Sequence, residues 1–261
     1  MSNLFKRAAV CTDIHFGLKS NSQTHNEDCL NFIKWFTAKA KEEGCETAFF
    51  LGDWHNNRAS INIVTLNYSL RALEHLNDNF DRVYFIPGNH DLYYRDKRDI
   101  QSVEWAKHLP NVVICNDWLH SGDVIVAPWL VGEDYKRIPK LSAKYMFGHF
   151  QLPTFYMNAM VQMPDHGDVK REDFTGIEHV LMLTSVTKKL HLLKKHLLTL
   201  TDSEKLHLFR KRLLVKISIT ISPETSCSKV WIQLLPINLL TYKANSTIRH
   251  YCLTFIEIFN V

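Results

Sequence analysis

Within its first 150 residues the chain carries four apolar runs that each stop at a cluster of carboxylate, amide or imidazole groups. Residues 6–13 end in Asp13-Ile14-His15, residues 46–53 in Gly52-Asp53-Trp54-His55, residues 82–88 in Gly88-Asn89-His90-Asp91, and residues 143–150 contain Gly148-His149. Between the first three lie helical patterns. Residues 26–44 place Leu30, Ile33, Phe36 and Ala40 at helical spacing and close on Gly44, and residues 61–78 form a second such stretch. Apolar strands alternating with amphipathic helices predict an α/β fold, a mostly parallel sheet covered on both faces. A helix around 99–108 and shorter strands near 112–115 and 123–128 complete the pattern, with a further strand beginning near Ile177.

The strand ends matter because open α/β sheets place their sites outside the carboxyl ends of the strands. The four clusters are therefore expected to converge. Taken singly, each is ordinary chemistry: Asp-x-His recurs on solvated loops, and Gly-Asp after a strand is a common turn. Gly-Asn-His-Asp is more specific, because a turn needs one Asn or Asp and not three adjacent polar groups. In order, and each after a strand, the clusters read as a cation site. Carboxylate, imidazole and amide oxygen suit manganese, iron or zinc. A carboxylate such as Asp53 has lone pairs enough to bridge two ions.

These residues resemble the calcineurin-like metallophosphoesterase superfamily, and within it the nuclease subunit of SbcCD-type recombination and repair complexes in its tailed-phage form. The supporting phrases are "GDWHNNRASINIVTLNYSLRAL", "PGNHDLYYRD" and "APWLVGED", and the resemblance runs from about residue 6 to 179. It implies layered sheets flanked by helices, and two divalent metal ions: manganese first, with iron, zinc or magnesium as alternatives. Asp13 and His15 would hold the first ion, Asp53 would bridge, and Asn89 and His149 would hold the second. His90 would be the catalytic acid or charge stabiliser, with Asp91 orienting its ring. His55, near the bridging Asp where the family commonly has Phe, is read as a site-wall residue, with a ligand role as the alternative. The implied activity is DNA phosphodiester cleavage by an exonuclease and endonuclease subunit. Its implied partners are DNA and an SMC-like ATPase, with a homodimer as a further expectation. Alternatives are a small nucleotide phosphodiesterase, or an inactive or purely partner-binding chain. Protein phosphatases of the superfamily carry Gly-Asp-x-x-Asp-Arg-Gly and Gly-Asn-His-Glu, and neither is present.

One motif is missing. The family ends its site with Gly-His-x-His, expected after the strand beginning near Ile177, yet "GIEHVLMLTSVTKKLHLL" contains none. His191, His196, His207 and His250 lie in the wrong context to replace it. The chain also changes character here: 19 Lys/Arg against 23 Asp/Glu through His179 become 12 against 4 from Val180 on, and no glycine follows Gly176. Residues 1–180 are thus expected to be the phosphoesterase domain, incomplete at its end. Residues 181–261 are expected to be a basic tail, either out of register with an ancestral reading frame or an unrelated replacement. The coding sequence across codons 175–200 tests the first version. In that tail residues 186–214 suggest a helix, with Thr201 and Glu204 as its capping box, and residues 215–222 a strand. The consequence would be a sheet lacking its final strands and two metals each one imidazole short.

The six cysteines are scattered without a C-x-x-C pair, which suits reduced thiols in a cytoplasm. No apolar run approaches the ~20 residues that span a bilayer. The N-terminus lacks the apolar core of a signal peptide. A cytoplasmic protein is expected, that of the host cell if phage-encoded.

Overall fold

A computed structural model describes residues 4–152, 169–183, 190–194, 241–244, 247–250 and 254–257. The strands are β1 (Arg7–Cys11), β2 (Thr47–Phe50), β3 (Arg82–Phe85), β4 (Val112–Ile114), β5 (Leu119–Ser121), β6 (Val124–Val126), β7 (Ala143–Gly148) and β8 (Ile177–Leu183). From the C-terminal part come β9 (Leu190–Lys194), β10 (Thr241–Ala244), β11 (Thr247–His250) and β12 (Thr254–Glu257). The two long helices are α1 (Gln23–Glu42) and α2 (Ile63–Asn79). One five-stranded sheet has the order β12-β1-β2-β3-β4 and the other β5-β6-β7-β8-β9, while β10 and β11 pair with each other.

In the first sheet β1 to β4 are parallel, and in the second β6, β7 and β8 are parallel. Their side chains alternate between two buried faces, which is why the runs are almost continuously apolar. Ala9, Cys11, Ala48, Phe50, Val83 and Phe85 face the helices, against Phe32, Phe36, Leu73 and Leu76. Ala8, Val10, Phe49, Leu51, Tyr84 and Ile86 face the second sheet and meet Val124, Val126, Tyr145, Phe147 and Leu181. Phe49 and Phe147 stack nearly parallel, with ring centres 4.0 Å apart, across that middle layer. Ile125, Met146, Val180 and Met182 fill the far face under Leu130, Ile138 and Phe174. The order is helices, sheet, sheet and an outer cover of irregular chain: the layered α/β arrangement expected.

The helices begin and end for local reasons. The Ser22 side chain accepts from the His25 amide to cap α1, and Asn62 accepts from Val64 (2.9 Å) to cap α2. The helix expected at 99–108 contracts to one 3₁₀ turn, Glu104–His108. Its first residues are already committed: Gln101 forms an isolated bridge with Leu92, and the Ser102 amide donates to Asp91 O at 2.7 Å.

Beyond residue 180 the sheets do not stop as expected. β9 pairs antiparallel with β8, so residues 190–194 are strand and not helix, and β12 pairs antiparallel with β1. The open edges of β8 and β1 present unpaired backbone groups, and strands from the tail satisfy them. The expected capping box at Thr201 and Glu204 and the strand at 215–222 lie outside the described residues. Cys11, Cys29, Cys45 and Cys115 are buried. Among the described residues no helix is long and apolar enough to cross a membrane.

Candidate metal centre

The loops after β1, β2, β3 and β7 meet, because parallel neighbours bring their carboxyl ends to one side. The first two are zipped together: Asp13 N donates to Gly52 O (3.0 Å), His15 N to Asp53 O (3.0 Å) and Phe16 N to Trp54 O (2.7 Å). That zipper holds three side-chain-bearing residues in the left-handed region, Asp13 at φ 56°, His15 at φ 53° and Asp53 at φ 60°. Such a conformation costs on the order of 1–3 kcal/mol per residue and persists only where the surroundings enforce it. All three strained residues are candidate ligands.

Two glycines allow the loops to approach this closely. A Cβ on Gly88 would lie 2.3 Å from Asp53 Oδ1 and 2.4 Å from Asp53 N, and one on Gly52 would lie 2.5 Å from His149 Nδ1. Gly52 also takes φ +104°.

Around Asp53, which is fully buried, the candidate ligands gather. One ligand atom each from Asp13, His15 and Asp53 lies within 4.8 Å of the others. His15 Nε2 is 3.4 Å from Asp13 Oδ1 and 3.7 Å from Asp53 Oδ2, and on the other side His149 Nε2 is 3.7 Å from the same Oδ2. Asp53 Oδ1 is occupied by the amide of His90 at 3.0 Å. His149 Nδ1 donates to Leu51 O at 2.6 Å, which leaves Nε2 as the lone-pair nitrogen. Trp129 covers that imidazole, ring centres 5.5 Å apart.

The atoms that remain identify the vacancy in the hydrogen bonding. Asp53 Oδ2, Asn89 Oδ1 and His149 Nε2 are buried without any hydrogen-bond partner. Buried polar atoms are nearly always paired, and here an acceptor oxygen and a lone-pair nitrogen lie 3.7 Å apart, with a further unpartnered amide oxygen on the loop after β3. This donor set fits a divalent cation. Burial would push the Asp13 carboxyl up, but the His15 hydrogen bond, the His149 and His15 charges and the Thr12 hydroxyl hold it below the ordinary carboxylate range. Burial works against a charged His15, yet Asp13, Asp53 and Asp91 raise it above the usual imidazole value. Both directions describe a site with strong local fields.

His90 stands beside these groups, its ring edge-on to His15 at 5.1 Å. Its Nδ1 donates to Asn56 O at 2.8 Å. The expectation that Asp91 steers this ring is corrected. Asp91 turns away and accepts three backbone amides, from Trp54 (3.1 Å), His55 (2.8 Å) and Gly88 (2.9 Å). Its two oxygens are engaged by amides of the β2 and β3 loops and not by the imidazole of the preceding residue, whose ring is held by the Asn56 carbonyl. Burial, with the Asp53 charge added, pushes the Asp91 carboxyl up to about 6 against the pull of those three amides.

His55 is committed to hydrogen bonds with two serines. Its ring nitrogens are taken by the Ser102 (2.7 Å) and Ser69 (2.8 Å) hydroxyls, and burial lowers its pKa to about 3. Trp54 Nε1 shares Ser69. Sequence reasoning missed Leu51 and Asn56, whose backbone carbonyls orient the two imidazoles. Backbone groups leave no side-chain signal to read. β8 ends at Leu183, and residues 184–189 contain no histidine.

The family model for calcineurin-like phosphoesterases matches residues 6–197. "Exonuclease subunit 1" of Enterobacteria phage T4 is 26% identical over 182 residues, which are 65% of this chain and 54% of that protein. The chain thus spans about half the length of this curated relative. Among solved structures, Pseudomonas putida nuclease MPE is 22% identical, covering 60% of this chain and 67% of that one, with a TM-score of 0.32.

Proposed function

The chain belongs to the calcineurin-like phosphoesterase family, and we propose that within it the protein is a metal-dependent DNA phosphodiesterase, an exonuclease and endonuclease subunit. The observation that carries this reading is Asp53 Oδ2: buried, without a hydrogen bond, and 3.7 Å from an imidazole nitrogen on each side. Asp13, His15 and Asp53 would hold one divalent cation, and Asp53, Asn89 and His149 a second, manganese being the first choice. When bound, such cations supply Lewis-acid polarisation of a phosphoryl oxygen and a water of lowered pKa.

The chain's own residues supply the rest. His90 carries its Nδ1 proton on the Asn56 carbonyl, so Nε2 is the nitrogen left for the reaction: as the imidazolium, the ring would pass its Nε2 proton to the leaving oxygen and remain as the neutral Nδ1–H tautomer. Asp91 is a positioning residue that ties the β2 and β3 loops together through three amides. Trp129 and the buried Asp53 wall keep one side of the site dry.

The relative in phage T4 is named as one subunit. The corresponding proposal here is a complex with an SMC-like ATPase, acting on DNA in recombination and end processing in a bacterial cytoplasm, with homodimerisation. The charge and glycine change near residue 180 marks, in this reading, a phosphoesterase domain whose closing Gly-His-x-His has been lost, and metal binding is weakened accordingly.

The test is manganese-dependent cleavage of linear DNA and of bis-p-nitrophenyl phosphate by the full chain and by His90→Ala. Cleavage of both, abolished in the variant, supports the reading. Cleavage of small diesters but never of DNA would replace it with a nucleotide phosphodiesterase, and no hydrolysis at any metal concentration would leave an inactive family member.

A further inference from the structure

The chain segment after His90 and Asp91, residues 92–101, is a loop fixed at its base and bare at its tip. Leu92 and Gln101 form a bridge, and Tyr93 N donates to Ile100 O at 3.0 Å. Arg98 anchors it: the guanidinium pairs with the Asp134 carboxylate, donates to Trp129 O (2.8 Å) and has Asp117 at 3.7 Å. The same Trp129 covers His149, so the anchor joins the loop to the wall of the metal centre.

Against this rigid base, the tip leaves two aromatic rings in water. Tyr93 is 49% and Tyr94 40% exposed, with their rings edge-on at 4.9 Å. The Lys97 ammonium lies 5.7 Å from the Tyr94 ring centre. Arg95 and Lys97 are exposed beside them, as are Asp96 and Asp99.

A separate observation points to the same place. Arg58 follows Asn56, the residue that holds His90, and its Nη1 is buried with no hydrogen-bond partner. Its charge is felt by, and feels, those of Arg95, Asp53 and Asp91. A guanidinium with an unfilled buried donor and a second cation in its field is completed by an anion. Arginine matches phosphate geometry for this purpose.

We propose that Arg58 and residues 92–101 form a subsite for an unpaired nucleic-acid strand leaving the metal centre, with phosphate at Arg58 and Arg95 and bases stacked on Tyr93 and Tyr94. This rests on the DNA phosphodiesterase reading and adds its substrate form: a single-stranded or frayed end. In a closed duplex the base faces are already stacked, so the two tyrosines have nothing to bind. Asp96 and Asp99 offset Arg95 and Lys97, so stacking and not bulk charge supplies the preference.

The test is fluorescence anisotropy of a labelled oligothymidylate and of a blunt duplex with the full chain in EDTA, where no turnover occurs. Single strand is expected to bind more tightly than duplex. Tyr93→Ala/Tyr94→Ala is expected to weaken single-strand binding about tenfold or more. Tyr93→Phe/Tyr94→Phe retains it, because stacking uses the ring and not the hydroxyl. Arg58→Met is expected to lower the log–log salt slope by about 0.7. Equal binding by wild type and the alanine pair, or equal binding of duplex and single strand, overturns the subsite. If DNA is still cleaved in that case, the phosphodiesterase reading stands alone. If wild type neither binds nor cleaves nucleic acid, both fall.

Discussion

Asp53 and His149 face each other at 3.7 Å, Oδ2 to Nε2, and neither atom has a hydrogen bond. Each is left open because its other atom is engaged: Asp53 Oδ1 by the His90 amide, His149 Nδ1 by the Leu51 carbonyl. A cation that occupies this gap stabilises the folded state by mass action, ~2.7 kcal/mol at a hundredfold excess over Kd. Manganese is expected to raise the thermal midpoint by about 5–10 °C, and chelation to reverse it. Asp53→Asn and His149→Ala are each expected to lose that rise in differential scanning fluorimetry.

His90 contributes a proton and not a ligand. His90→Ala is expected to keep the manganese-induced thermal shift while kcat on bis-p-nitrophenyl phosphate falls about 10²–10⁴-fold. A variant that loses both would make His90 a metal ligand.

Asp91 acts through three backbone amides, so its removal is a structural loss. Each buried donor left without an acceptor costs about 1–3 kcal/mol. Asp91→Ala is expected to lower urea stability by ~3 kcal/mol or more. Asp91→Asn, which keeps one acceptor oxygen, is expected to cost less.

The glycines separate in the same way. Gly88→Ala drives a Cβ to 2.3 Å from Asp53 Oδ1 and 2.4 Å from its backbone nitrogen, and backbone cannot move aside. It is expected to abolish manganese binding in the thermal-shift assay. Gly122 has φ +55° and nothing within 4 Å of its Cβ position. Gly122→Asn is expected to cost less than ~1 kcal/mol, because Asn tolerates the left-handed region.

Cys115 gives a pH signature of its own. Burial pushes its thiol up to about 12 against a backbone hydrogen bond from Phe85 on the neighbouring strand. The folded pKa lies above the unfolded one, so the contribution is complete below the ordinary thiol pKa and is lost as pH rises towards 12. Between about pH 9 and 12 the unfolded chain releases a proton that the folded chain keeps. Cys115→Ala is expected to flatten the fall of unfolding free energy in that window by about 1.4 kcal/mol per pH unit, measured by urea titration. Iodoacetamide at pH 8 is expected to leave Cys115 unlabelled in the native protein.

Much of this was legible in the chain. The alternation of apolar runs with helical stretches located β1, β2, β3 and β7 and both long helices, because burial on two faces demands continuous apolar sequence. Glycine spacing and the polar clusters pointed to Asp13, His15, Asp53, Asn89, His90 and His149, because cation chemistry restricts the residue types. Where the periodicity was weak, at 99–108 and beyond 180, local pattern competed with hydrogen bonds made across the fold. There the bridge at Leu92 and Gln101 and the open edges of β1 and β8 prevailed.

By itself, then, the sequence determined which side chains are offered at the strand ends and which faces are buried, since both follow from residue type and period. Only the tertiary structure decided what each offered group is free to do. Asp91 became a backbone tie and His55 a partner of two serines because amides and hydroxyls from elsewhere reached them first. Asp53 Oδ2, Asn89 Oδ1 and His149 Nε2 remained open because nothing else in the described fold came within hydrogen-bonding reach. Availability is a property of three-dimensional neighbours, and no window of the chain encodes it.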